Sequence, residues 1–311
     1  MPLSRNYPGP QPLPKEIAEY YSYPKTPQLA TRELLDERRG YRRFLIRFPL
    51  VAPGFEPTEP TVEFEWYESR EPGLPAAAQT GRRPAILFSP ILGGDYPLER
   101  GLCRFFANHG LHVALVHRKT LKVSPDQDAA HLELLLRQGI LRNRQIVDWM
   151  ETHPEVDPNR MGSFGISMGG IANTITAAVD HRLRCHVIAL AGGSIADILR
   201  TSHDTLLTKP RRRYLAHQHL DLETMHRILT ETLRTDPLRL APYIDARQAS
   251  WTIALLDRTI GTANALRLWR AAGKPAVTFI PAGHYTAYLY LPAIKYQSLR
   301  FFNKQLLEPS R

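Results

Sequence analysis

Five residues, Gly165-Ile166-Ser167-Met168-Gly169, constrain this chain more than any other stretch. They follow a run with strand character, Arg160-Met161-Gly162-Ser163-Phe164, and lead into a helical pattern over 170–179. A serine between two glycines at a strand-to-helix junction reads as a nucleophile elbow. The turn is tight enough to hold the serine in strained backbone, and a side chain at either flanking position would collide with the neighbouring strand or helix. The serine Oγ is then presented at the carboxyl edge of a sheet, above a helix N-terminus that favours developing negative charge. Ser167 is the candidate nucleophile.

The rest of the chain supplies the sheet such an elbow needs. Ala85-Ile86-Leu87-Phe88 is a continuous apolar run of the kind that strands buried on both faces require. Strand patterns then recur at 112–116, 161–164, 185–190, 251–256 and 276–280. Helical patterns alternate with them at 96–109, closed by Gly110, at 128–151, stopped by Pro154, at 171–179, at 262–272, ended by Gly273, and at 285–307. This alternation predicts right-handed βαβ units and a mostly parallel α/β sheet.

Two β-patterned runs, 41–51 and 61–68, precede this region and are separated by Pro53, Gly54, Pro57 and Pro60. A second Pro/Gly-rich loop covers 71–84. Residues 1–37 form a Pro-rich extension with one short helical pattern at 27–37. About sixty residues separate the strands ending near Leu190 and starting at Trp251, too many for a structureless loop. Residues 194–248 are read as a helical cap inserted over the carboxyl edge, with Arg and His abundant at 200–240.

Composition narrows the class. With 311 residues and 43% hydrophobic content, the chain can bury the core of one large domain. Cys103 and Cys185 form no disulfide framework and suit a reducing compartment. The first thirty residues lack the apolar segment of a secretory leader, and no run reaches the ~18 apolar residues of a membrane span. A cytoplasmic protein is expected. The net charge of +10 is spread over Arg38, Arg39, Arg42 and Arg43, over Arg82 and Arg83, and over Lys209 with Arg211, Arg212 and Arg213. These clusters are scattered along the chain and carry no nucleic-acid motif, so they read as solvated surface and no nucleic-acid partner is expected.

A serine hydroxyl needs a base. His284, in Pro281-Ala282-Gly283-His284-Tyr285, lies just past the last strand and is the candidate. Asp257, at the end of the strand before it, shares the same sheet edge and is the candidate to orient the imidazole; Asp245 and Asp197 are rivals that do not directly end a strand. Two backbone N–H groups are needed for an oxyanion. One is that of Met168; the other falls in Ser89-Pro90-Ile91-Leu92-Gly93-Gly94, where Leu92 is favoured and Ile91 is the nearest alternative.

With this elbow, the chain order Ser, Asp, His and the Gly283-His284 pair, residues 41–307 resemble the serine hydrolases of the α/β-hydrolase superfamily. The Gly93-Gly94 loop is similar to that family's His-Gly-x-Gly-Gly segment, although Ser89-Pro90-Ile91 departs from its usual His-Gly. The resemblance implies a central eight-stranded sheet and esterase-type chemistry, without implying a substrate. The expected activity is hydrolysis of small-molecule carboxylic esters of short-to-medium acyl chain through an acyl-enzyme on Ser167. A thioesterase or serine peptidase using the same residues, or a non-catalytic binding protein on the same fold, are the alternatives. The chemistry needs no metal or organic cofactor, and neither metal-ligand spacing nor a phosphate-binding loop is found.

Overall fold

The apolar runs assemble into one nine-stranded sheet of order β1-β2-β3-β5-β4-β6-β7-β8-β9. The computed structural model describes residues 1–3, 7–25, 29–71, 81–93, 95–118 and 124–307. Strands β1 (Thr31–Glu37), β2 (Tyr41–Pro49) and β3 (Thr61–Ser69) form an antiparallel wing that joins β5 (His112–Val116). From β5 onward the sheet is parallel, through β4 (Arg83–Ser89), β6 (Val156–Ile166), β7 (Leu183–Ala189), β8 (Ala249–Ala254) and β9 (Ala276–Ile280). Helices α2 (Pro97–Ala107), α3 (Ala129–Thr152), α4 (Met168–Val179), α9 (Thr262–Ala271) and α10 (Leu291–Leu306) link and cover these strands; a short α1 (Lys15–Tyr20) precedes them.

The chain runs from β4 outward to β5 and then returns to the other side of β4 for β6. The connections leave in opposite directions there, which opens a crevice at the carboxyl ends of β4 and β6. Register places Ser89 beside Gly165 at that edge, and Ile166 beside Ala189 of β7. Side-chain alternation sends Val187 to the face packed with Phe88, Phe106, Phe164 and Phe302, and Ile188 to the face shared with Ile175, Trp251 and Leu268. Full burial of a side chain such as Phe164 contributes about 2–3 kcal/mol.

The helix expected at 27–37 is a strand instead: β1 lies antiparallel on β2, from Thr31 opposite Arg47 to Glu37 opposite Arg42. Its side chains are almost all exposed, so no apolar stripe exists to hold an isolated short helix. The edge of β2 offers backbone partners, and the ion pairs Arg47–Glu33 at 3.1 Å and Arg32–Glu68 at 2.5 Å cross the wing. This strand makes the sheet nine-stranded rather than eight-stranded. Pro27 and Gln28, residues 72–80 of the second loop, and Gly94 lie outside the described residues. The final helical pattern is split: a 3₁₀ turn, Thr286–Tyr290, precedes α10, whose first turn carries Pro292. Strand β8 stops at Ala254, while Leu255 and Leu256 still donate to the carbonyls of Ile280 and Ala282 at 2.9 Å.

Between β7 and β8 lie α5 (Ile195–Thr201), α6 (Thr205–Gln218), α7 (Leu222–Thr232) and α8 (Pro237–Leu240). Ser194, Asp204, Asp221 and Asp236 cap their N-termini through side-chain oxygens. Helix α7 buries Met225 and Leu229 in the main core, whereas α6 has no fully buried residue and only half-buries Leu207, Tyr214 and Leu215 against it. The N-terminal segment packs on this region: Tyr21 is buried with its hydroxyl 3.0 Å from that of Thr235, and Gln11 N–H meets Pro242 O at 3.0 Å. Among the described residues, no helix is long and apolar enough to cross a membrane.

Candidate active site

Ser167 sits between β6 and α4 with φ 56° and ψ −122°, a left-handed backbone that non-glycine residues avoid. Its N–H is held by Ala189 O at 2.9 Å. Neither flanking glycine tolerates a side chain. A Cβ on Gly165 would overlap the carbonyl of Gly169, and one on Gly169 would overlap that of Ser89. The turn can close only where these two positions lack side chains.

Three side chains from three elements converge on this edge. Ser167 Oγ lies 2.9 Å from His284 Nε2, and His284 Nδ1 lies 2.7 Å from Asp257 Oδ2. Asp257 Oδ1 accepts the N–H groups of Thr259 at 2.8 Å and Ile260 at 2.9 Å, which fixes the buried carboxylate at right orientation to the ring. With a carboxylate at Nδ1, the ring proton resides there and Nε2 is left to accept from the serine hydroxyl. The loop carrying His284 is shaped by Gly283, whose N–H donates to Thr286 Oγ1 at 2.8 Å.

The rival carboxylates are engaged elsewhere. Asp245 caps a 3₁₀ turn and pairs with Arg247 at 2.6 Å. Asp197 is bound by Ser194 and His226, each at 2.8 Å, and by Arg267. Of the two loop amides, that of Ile91 donates to Glu99 Oε1 at 3.0 Å, from the first turn of α2. Burial raises the Glu99 carboxyl above its usual range. Arg118, two residues past β5, donates to the carbonyls of Ile91 at 2.6 Å and Pro90 at 3.4 Å. The 90–91 segment is therefore gripped from both sides, its one N–H already committed. Met168 opens α4, and first-turn N–H groups have no intrahelical acceptor.

Glu99, Arg118 and Asp204 were not singled out from sequence. Asp204 caps α6 and at the same time accepts from Thr259 Oγ1 at 3.0 Å and from the Tyr285 hydroxyl. Their sequence signals are faint: Glu99 stands in a helix's first turn, and Arg118 stands just past a strand's carboxyl end. The arginine clusters resolve into local structure. Arg43 meets Glu65 and Arg42 meets Glu68, while Arg211 donates to the carbonyls of Leu199 and Arg200 at 2.6 and 2.8 Å, closing the end of α5.

No family model matches the chain. Uncharacterized proteins of Mycobacterium tuberculosis strains CDC 1551 / Oshkosh and ATCC 25618 / H37Rv are each 24% identical over 315 residues, covering 96% of this chain and 73% of theirs. Among solved structures, an acetyl xylan esterase from Paenibacillus sp. R4 is similar with a TM-score of 0.68 at 18% identity, covering 94% of this chain and 92% of that one. Acetyl xylan esterase 1 from Thermoanaerobacterium sp. JW/SL YS485 gives a TM-score of 0.65 at 17% identity, with 94% and 96% covered. An alpha/beta hydrolase from Penicillium sp. sh18, GrgF, gives 0.57 at 16% identity, with 91% and 100% covered. Sheet order, elbow and neighbours agree: the chain has the α/β-hydrolase fold.

Proposed function

We propose that this protein is a serine esterase acting on carboxylic esters of short-to-medium acyl chain. The hydrogen-bonded series Ser167–His284–Asp257, with spacings of 2.9 and 2.7 Å, is the observation that carries the reading. In it, Ser167 Oγ attacks the ester carbonyl while His284 Nε2 takes its proton, and Asp257 stabilises the resulting imidazolium. The N–H groups of Met168 and Leu92 receive the oxyanion; Leu92 is favoured because Glu99 occupies the Ile91 amide. His284 then protonates the leaving alcohol and activates the water that releases the acid. The esterases among the structural neighbours support the reaction class.

The chain works in this reading as one domain with a Pro-rich N-terminal extension, residues 1–37, and a helical cap, residues 194–248. Chain-length preference follows from that cap. Its helix α6 has no fully buried residue and is rich in arginine, so it offers no long greasy wall. Each buried methylene is worth about 0.8 kcal/mol, a gain an enzyme for long acyl chains must collect many times over. A panel of p-nitrophenyl esters from acetate to palmitate tests the reading. Maximal kcat/KM at acetate to hexanoate is expected, and a maximum at palmitate overturns the preference. No hydrolysis anywhere in the panel, together with no fluorophosphonate adduct on Ser167, overturns the esterase reading itself.

A further inference from the structure

Beside the elbow lies a cavity of about 970 Å³, walled in part by Ser89, Pro90, Met168 and Ile171. Its walls also carry two guanidinium groups, Arg118 and Arg142. Arg142 is 3% exposed and reaches Glu59 at 2.5 Å. Glu63, the other acidic residue on the wall, is taken by Arg47 at 2.6 Å and by His117 at 2.8 Å. Arg118 differs from both. Among the described residues its guanidinium donates to the carbonyls of Pro90 and Ile91 alone, and no carboxylate lies within ion-pairing distance of it. The Nε atoms of Arg118 and Arg142 are both enclosed and, among the described residues, without an acceptor.

Among the described residues the cavity thus holds a guanidinium with no direct ion pair, Glu99 and Glu59 acting on it only from a distance, and two N–H donors without acceptors. Burial draws the Arg118 guanidinium down to about 10, which leaves it charged at neutral pH. A half-buried guanidinium without a direct ion pair is costly, and so is an enclosed donor lacking an acceptor; one anion entering the cavity offsets both. Guanidinium groups bind carboxylates through paired N–H donors, which makes a carboxylate the fitting anion. Gripping the 90–91 segment accounts for the contacts of Arg118 with the two carbonyls but leaves its Nε–H without an acceptor.

We infer that this cavity receives a carboxylate carried by the ester substrate, with Arg118 as its charged partner and Arg142 beside it. The inference rests on the esterase reading for its catalytic meaning, while the anion site itself can be tested without turnover. Two measurements separate them. The first is calorimetric binding of hexanoate against hexanamide to Ser167→Ala protein, with and without Arg118→Gln. The second is kcat/KM for the mono-p-nitrophenyl ester of adipate against p-nitrophenyl hexanoate on the otherwise unaltered enzyme.

Hexanoate is expected to bind at least tenfold more tightly than hexanamide, with the difference abolished by Arg118→Gln and partly kept by Arg118→Lys. The adipate ester is expected to be favoured tenfold or more, and Arg118→Gln should reverse that order. Equal binding of the two hexanoyl ligands overturns the anion site, as does a preference that survives Arg118→Gln. Should Arg118→Gln fail to fold, Arg118→Lys and the unaltered protein still decide through the two preferences. Tight hexanoate binding with no preference for the adipate ester overturns the assignment to substrate. Hexanoate binding that depends on Arg118, with neither ester hydrolysed, leaves the anion site standing and removes the esterase.

Discussion

Strand β6 and its turn carry two serine–histidine pairs, four residues apart, and only one has the surroundings that the proposed chemistry needs. Ser163 Oγ lies 2.8 Å from His186 Nδ1, as close as Ser167 lies to His284. Both members of the inner pair are buried within the sheet, and burial pulls the His186 imidazole down to about 4. Among the described residues no carboxylate is bonded to its ring, and its serine sits mid-strand. The outer pair has Asp257 behind the histidine, a turn that pushes the serine out of the strand, and a helix N-terminus beneath it. A hydroxyl–imidazole hydrogen bond is therefore common currency; access, an imidazolium partner and a place for the oxyanion make it a nucleophile.

The comparison breaks first at the serines. Ser167→Ala should lower kcat by about 10⁶ while leaving the thermal unfolding transition in place. A fluorophosphonate should add to Ser167 alone, and mass mapping that finds the adduct on Ser163 would reverse the two roles. Next comes the carboxylate. Asp257→Asn should cost about 10⁴ in kcat by favouring the wrong imidazole tautomer. Asn at Asp245 or Asp197 should cost far less, since those side chains hold Arg247 and the α5 turn.

The third effect is on stability and belongs to the inner pair. A histidine lowered to about 4 in the folded protein titrates near 6.5 when unfolded, so the unfolded chain binds more protons between those values. Its neutral burial stabilises the fold fully above the unfolded value and ceases to do so as pH falls toward 4. The loss for His186 is about 3 kcal/mol, and urea titrations at pH 7 and pH 4 should show His186→Gln losing that much less than the unaltered chain. An equal acid-dependent loss in both proteins contradicts the assignment. Smallest is Ser163→Ala, expected to cost about 1–2 kcal/mol of stability by orphaning an imidazole nitrogen, with kcat/KM unchanged.

Legibility in the sequence tracked how local each feature is. The elbow was readable because two glycines, a serine and the periodicity change all fall within a dozen residues. The parallel strands were readable as apolar runs, since strands covered on both faces leave little room for polar side chains. Strand β1 was not, because an exposed edge strand has no buried face to impose period-two patterning. Asp257 could be favoured from its place after a strand, yet its separation from Asp245 and Asp197 needed the three-dimensional contacts. The commitment of the Ile91 amide depends on Glu99 folding back across the start of α2, which no spacing rule announces.

Asp204 gives the molecule a mechanical property. One carboxylate closes the first turn of α6, ties Thr259 two residues past Asp257, and holds Tyr285 next to His284. The loop of Asp257, the loop of His284 and the exposed helix α6 are thus fastened at a single rivet. The first turn of α6 is therefore braced against both loops by one side chain, in addition to the backbone N–H groups that already hold Asp257.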